Sequence, residues 1–202
     1  MSPFHSTHET KPLSAKFPRY SIKKLLLTMA ALAVGYILLL AYLHFQGDAQ
    51  IARIFGGAQG LSVLHHADRI EAYRVDTPAD RNSSSIALED FPIIKGPIAI
   101  SQSDAEPLLA TLQDRNSYLW DMPKGCELVP GVRFDFIRGN DRLSVLLCFQ
   151  CDMTANYLNG KIVGGGNTDK VRPTLVRVAR SLFPDDAKIQ SLSEQQSTPP
   201  AN

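Results

Sequence analysis

The sequence predicts an α+β domain behind an N-terminal transmembrane helix. Three observations carry this. Leu25 to Gly47 contains no Asp, Glu, Lys or Arg. Beyond it, short alternating apolar runs are separated by Gly-Asn and Asn-Gly dipeptides. Two stretches with helical apolar spacing interrupt or follow those runs. The expected order is ββαβββα, an antiparallel sheet with two helices packed on one face.

The apolar run from Leu25 ends at Leu43 and is 19 residues long. At about 1.5 Å per residue it nearly matches a hydrocarbon core of ~30 Å. It exceeds the roughly 7–15 residues of a signal-peptide core, and no A-x-A site follows. An uncleaved signal anchor is therefore expected over a cleaved signal peptide, with the span at 25–45 and the lipid bilayer as partner of Leu25–Leu43. Five basic residues (Lys11, Lys16, Arg19, Lys23, Lys24) against Glu9 mark residues 1–24 as a cytoplasmic leader. The positive-inside rule then puts the remaining chain outside, at a bacterial inner membrane. Tyr20 on one side and Tyr42, His44 and Phe45 on the other suit the two interfaces. Residues 48–202 hold 16 basic and 19 acidic residues, which argues against a nucleic-acid partner.

Residues 46–60 read as a linker: a short amphipathic piece with Ile51, Ile54 and Phe55, then a glycine-rich joint. The extracytoplasmic domain is expected over 61–192 and a disordered tail over 193–202. Ile70 to Val75 alternates and reads as a strand. Residues 76–92 are a polar loop with the run Ser83 to Ser85, and Gly96 to Ser101 is a second strand. Ser103 with Glu106 fits a capping box for a helix burying Ala105, Leu108, Leu109 and Leu112, with Pro107 in its first turn.

A hairpin follows about Gly139-Asn140. A two-residue loop there pairs Phe136 with Leu143, Phe134 with Val145 and Val132 with Leu147, all on one face. Asn159-Gly160 marks another hairpin. Gly164 to Gly166 read as a flexible loop, favoured over an anion site before the next helix. That helix, about Asp169 to Phe183, buries Val171, Leu175, Val178, Ala179 and Leu182. Arg172, Arg177 and Arg180 are expected on its solvated side, and Asp185-Asp186 at a solvated end. Trp120 with Tyr118 is expected in the core rather than on a surface patch.

Cys126, then Pro130-Gly131-Val132-Arg133-Phe134, a hairpin, and Leu147-Cys148-Phe149-Gln150-Cys151 form a recognisable string. It resembles a group of uncharacterised bacterial exported or membrane-anchored domains with a Cys–Pro–Gly hairpin and an [IVL]-C-F-x-C signature. The likeness covers about Leu61 to Leu192. It implies a domain boundary and a cysteine framework, and no activity.

Three cysteines outside the cytoplasm allow one disulfide and one leftover thiol. In a continuous strand Cys148 and Cys151 stand roughly 10 Å apart, beyond the about 7 Å a disulfide tolerates. Extending the hairpin register gives Cys151 the core-face parity and turns Cys148 the other way. Cys126 shares that parity, so Cys126–Cys151 is expected ahead of Cys126–Cys148, leaving Cys148 as the free thiol. A redox site would want the first cysteine at a helix N-terminus, and here a strand follows. A metal site would need more ligands than His65-His66, which is expected on an exposed segment. Neither G-x-S-x-G nor H-E-x-x-H occurs. The expectation is a non-enzymatic single-pass protein, with no cofactor and no metal, whose outer domain is structural or binds an envelope protein. The alternative is an exported thiol-active or metal-binding protein using Cys148 and Cys151.

Overall fold

Period-two alternation lays down the central sheet, and the computed structural model describes it within residues 22–77, 86–122 and 124–195. The strands are β1 (Arg69–Val75), β2 (Ile93–Ala99), β3 (Val132–Arg138), β4 (Asp141–Cys148), β5 (Met153–Leu158) and β6 (Lys161–Asn167). They form one antiparallel sheet in the order β2-β1-β3-β4-β5-β6. From β3 onward each strand pairs with the next through a tight turn. The Gly139-Asn140 turn sets Val132 against Leu147, Phe134 against Val145 and Phe136 against Leu143. At the Asn159-Gly160 turn both residues have positive φ, 51° and 79°. This is the geometry that two-residue hairpin loops require, and Asn-Gly supplies it at low cost. The last hairpin contributes two full strands, so four strands rather than the expected three follow the helix between β2 and β3.

The helices are α1 (Ile22–Ile54), α2 (Gly57–His65), α3 (Gln102–Gln113), α4 (Arg172–Leu182) and the short α5 (Ala187–Gln190). One sheet face carries Ala72, Val132, Phe134, Phe136, Leu143, Val145 and Leu147. Against it pack Ile51 and Ile54 of α1, Phe55 just after it, Val63 and Leu64 of α2, Leu108 and Leu112 of α3, and Leu175, Val178 and Ala179 of α4. The opposite face carries Tyr73, Leu146, Ala155 and Tyr157, which pack with Leu88 and Phe91. Both faces are thus buried over the central strands, and β3 is buried from Val132 through Ile137.

The chain divides into two units, Met1–Leu43 and His44–Asn202. The transmembrane helix expected at 25–45 is corrected here: among the described residues no helix is long and apolar enough to cross a membrane. The apolar stretch is the first part of a 33-residue helix. That helix also contains Lys23, Lys24, Asp48 and Arg53, and its last turn buries Ile51 and Ile54 in the second unit. The apolar side chains from Leu25 to Leu40 are exposed. The linker expected at 46–60 is corrected too, because α1 runs through it to Ile54 and α2 starts at Gly57. Leader residues 1–21, the Ser83 to Ser85 run and tail residues 196–202 lie outside the described residues, as do the side chains of Tyr42, His44 and Phe45.

Helix α3 begins two residues earlier than its capping signature implied. Ser101, not Ser103, accepts the Asp104 N–H at 3.3 Å. Pro107 consequently sits in the helix interior rather than its first turn. The glycine run Gly164 to Gly166 is not a loop but the edge strand β6. A Cβ on Gly164 would stand 2.7 Å from the Ile54 carbonyl oxygen, one on Gly165 2.1 Å from that of Thr154, and one on Gly166 2.5 Å from the Tyr118 ring. Three glycines in a row are what let a helix end, a strand and an aromatic ring close on one strand.

Candidate functional site

The cysteines converge at one corner of the sheet. Strand β4 ends at Cys148, residues 149–152 make a tight turn, and β5 starts at Met153. Cys151 lies in that turn and forms a disulfide with Cys126, their Cα atoms 6.4 Å apart. Cys126 belongs to an exposed loop that returns from α3 toward β3. The pairing is the expected one, but its reason differs. The strand does not continue through Cys151, so its side chain is aimed by the turn and not by strand parity. Cys148 is the free cysteine and is 1% exposed. It sits opposite Met153, and the Met153 Sδ lies 4.0 Å from the Cys126 sulfur.

Two cations hold the same turn. Lys124 donates to the Cys151 carbonyl at 2.5 Å and pairs with Asp169. Arg172 donates to the Phe149 carbonyl at 2.5 Å, pairs with Asp152, and donates through Nε to the Ser193 carbonyl at 2.8 Å. Arg172 is only 4% exposed. Its expected place on a solvated helix face is therefore corrected. The Asp152 carboxyl is raised above its ordinary value, because burial outweighs the pull of Arg172. Asp152 takes φ 50°, which closes the turn. Arg177 and Arg180 are the more exposed members of the α4 set.

Beside this corner is an open cavity of about 480 Å³ lined by Trp120, Met122, Lys124, Met153, Gly165 and Asn167 among others. Leu119 N donates to the Asn167 carbonyl at 3.0 Å, so the loop extends the β6 edge by one bond. Tyr118 is buried, with its hydroxyl donating to the Leu112 carbonyl at 2.9 Å. Trp120 is half-buried and donates to the Arg115 carbonyl at 3.0 Å. Met122 is 58% exposed at the rim.

Other candidates separate. His65 and His66 are exposed at the end of α2. No group of three His, Cys, Asp or Glu among the described residues is placed to hold a metal. Asp186 is not a solvated end: it accepts from Arg74 Nε at 2.8 Å and from Ile189 N at 3.0 Å, capping α5. Asp185 is exposed, 3.8 Å from Lys95.

Sequence reasoning missed a charged row on the second sheet face. Asp135, 0% exposed, receives both Arg133 Nε at 2.7 Å and Arg133 Nη2 at 2.5 Å. Arg133 lies 5.0 Å over the Tyr73 ring, and the Tyr73 hydroxyl donates to Glu71 at 2.6 Å. Burial first, then Glu71, pushes the Tyr73 phenol up to about 12. The signal was present in the R-x-D alternation of Val132 to Ile137, where apolar and charged residues take turns. The alternation does not tell that this second face is covered as well.

Compared with known proteins, the chain matches no family model, no curated protein and no solved structure.

Proposed function

We propose that this chain is a non-enzymatic domain of an oxidising, extracytoplasmic compartment that presents a rigid, disulfide-pinned loop to a protein partner. The observation that carries the reading is the Cys126–Cys151 bridge, which ties the exposed loop around Met122 and Lys124 to the β4–β5 turn. Disulfides of this kind persist outside the reducing cytoplasm. The likeness of the Cys126 to Cys151 string to exported domains supports the same compartment.

A loop held at one end by a disulfide and by Lys124 has little conformational entropy left to lose on binding. Trp120 and the exposed Met122 supply apolar contact area at its cavity. Thiol exchange is disfavoured: Cys151 is already bonded and Cys148 is buried at the end of β4, where no attacking thiolate gains access. The test is a photo-crosslinking residue at Met122, with a second at exposed Lys188 as control, in the full chain expressed in its host. One recurrent partner captured from Met122 and not from Lys188 supports the reading. Equal capture from both sites, or insulin reduction by the purified protein that disappears with Cys148→Ser, overturns it.

A further inference from the structure

A second cavity, of about 350 Å³, opens on the sheet face away from the helices. Its walls are Leu88, Phe91, Pro92 and Ile93 on one side and Arg133 and Arg142 on the other, with Glu89 at the rim. Strand alternation places both arginines there. Asp135 pairs with Ser144 across β3 and β4, and Arg142 is two residues along on the same face. Both guanidinium groups reach one oxygen: Arg133 Nη2 lies 2.5 Å and Arg142 Nε 3.7 Å from Asp135 Oδ2.

The two arginines share that oxygen unequally. Asp135 spends both oxygens on Arg133. Glu71 is taken by Arg69 Nε at 3.0 Å and by the Tyr73 hydroxyl. Arg142 is 49% exposed and has no hydrogen-bond partner for its guanidinium among the described residues; at 3.7 Å its approach to Asp135 is too long for one. Glu89 acts on Arg133 electrostatically, yet forms no ion pair with either arginine among the described residues. Two guanidinium groups thus share one buried carboxylate, and that of Arg142, the more exposed of the two, faces a wall of leucine, phenylalanine, proline and isoleucine.

We infer that this cavity is a binding site for a small apolar carboxylate, with Arg142 and the outer edge of Arg133 taking the carboxylate and Leu88, Phe91, Pro92 and Ile93 the apolar stem. A planar guanidinium matches a carboxylate through two parallel N–H···O bonds. The volume falls in the range of small-ligand pockets, which combine apolar lining with a few fixed polar groups. Glu89 competes with the ligand for the same cations. The site stands apart from the disulfide corner and does not depend on the partner-binding reading.

The experiment is saturation-transfer NMR on the full chain with hexanoate as probe and hexanamide as its uncharged counterpart. Hexanoate is expected to bind and hexanamide to bind at least about tenfold more weakly, the difference a charge-assisted bond makes. Arg142→Gln should weaken hexanoate by about the same factor while leaving the thermal midpoint in place, and Arg142→Lys should recover part of it. Glu89→Gln should tighten binding roughly twofold by removing the competing charge. A tripeptide ending in leucine distinguishes the source: binding tighter than hexanoate identifies a chain terminus, weaker binding a free acid, and both orders uphold the site. Equal binding of hexanamide, indifference to Arg142→Gln, or the absence of saturable hexanoate transfer overturns it.

Discussion

Asn156 on strand β5 donates its side-chain amide to the carbonyl of Ile54, 2.8 Å away and 102 positions earlier in the chain. Ile54 closes α1, and a terminal helix carbonyl needs a partner once it is buried. The bond makes the end of α1 part of the domain rather than a tether to it.

The first prediction follows from that bond and from Phe55, which is fully buried beside it. Phe55→Ala should lower unfolding free energy by about 3–5 kcal/mol, the cost of emptying a large core site. A linker residue would cost almost nothing. Urea unfolding followed by circular dichroism reads the difference.

The glycines of β6 yield a graded series. Gly166→Ala meets the Tyr118 ring, a side chain rather than backbone, and should cost about 1–3 kcal/mol. Gly165→Ala meets the Thr154 backbone and should cost more. Gly166→Ala combined with Tyr118→Leu should be less destabilising than the two single changes summed, because they share one contact. Thermal midpoints of the four proteins test the order.

How much of this was legible in the sequence depends on the range of the interaction. The register of β3 on β4 could be read outright, because a two-residue turn and an apolar alternation point to one pairing. The strand nature of Gly164 to Gly166 could not. Glycine there answers to Tyr118 and Ile54, residues far away in sequence whose approach no local pattern reports. Arg172 was misplaced for the same reason: its spacing on α4 looks solvent-facing, but the β4–β5 turn folds over it. The Cys126–Cys151 pair was reached through a strand parity that stops at Cys148, so in that case the outcome agreed and the premise did not. The apolar run from Leu25 showed its composition plainly, yet not that its helix runs on to Ile54.

Stability should fall in acid through Asp186. Burial raises its carboxyl, but the N–H of Ile189 and the Arg74 guanidinium prevail and hold it below the ordinary aspartate value. A depressed folded value stabilises above the unfolded value of about 3.9 and is lost as pH drops through the folded one. Asp186→Asn keeps the capping oxygen and removes the charge. The wild type should exceed this variant by about 2 kcal/mol above pH 5, and the gap should close as pH falls below 4. A gap that stays constant down to pH 2 would contradict the assignment.

The central claim is that Cys148-Phe149-Gln150-Cys151 is two cysteines with separate fates rather than one dithiol. The chain-entropy contribution of the bridge, about 3 kcal/mol for a loop of this length, rests on the same claim. The most direct measurement is mass mapping of the full chain isolated from its host, alkylated under denaturing conditions without reductant. The account predicts one alkylated cysteine, Cys148, and one linked peptide pair joining Cys126 to Cys151. Three alkylated cysteines, or a bridge involving Cys148, would contradict it.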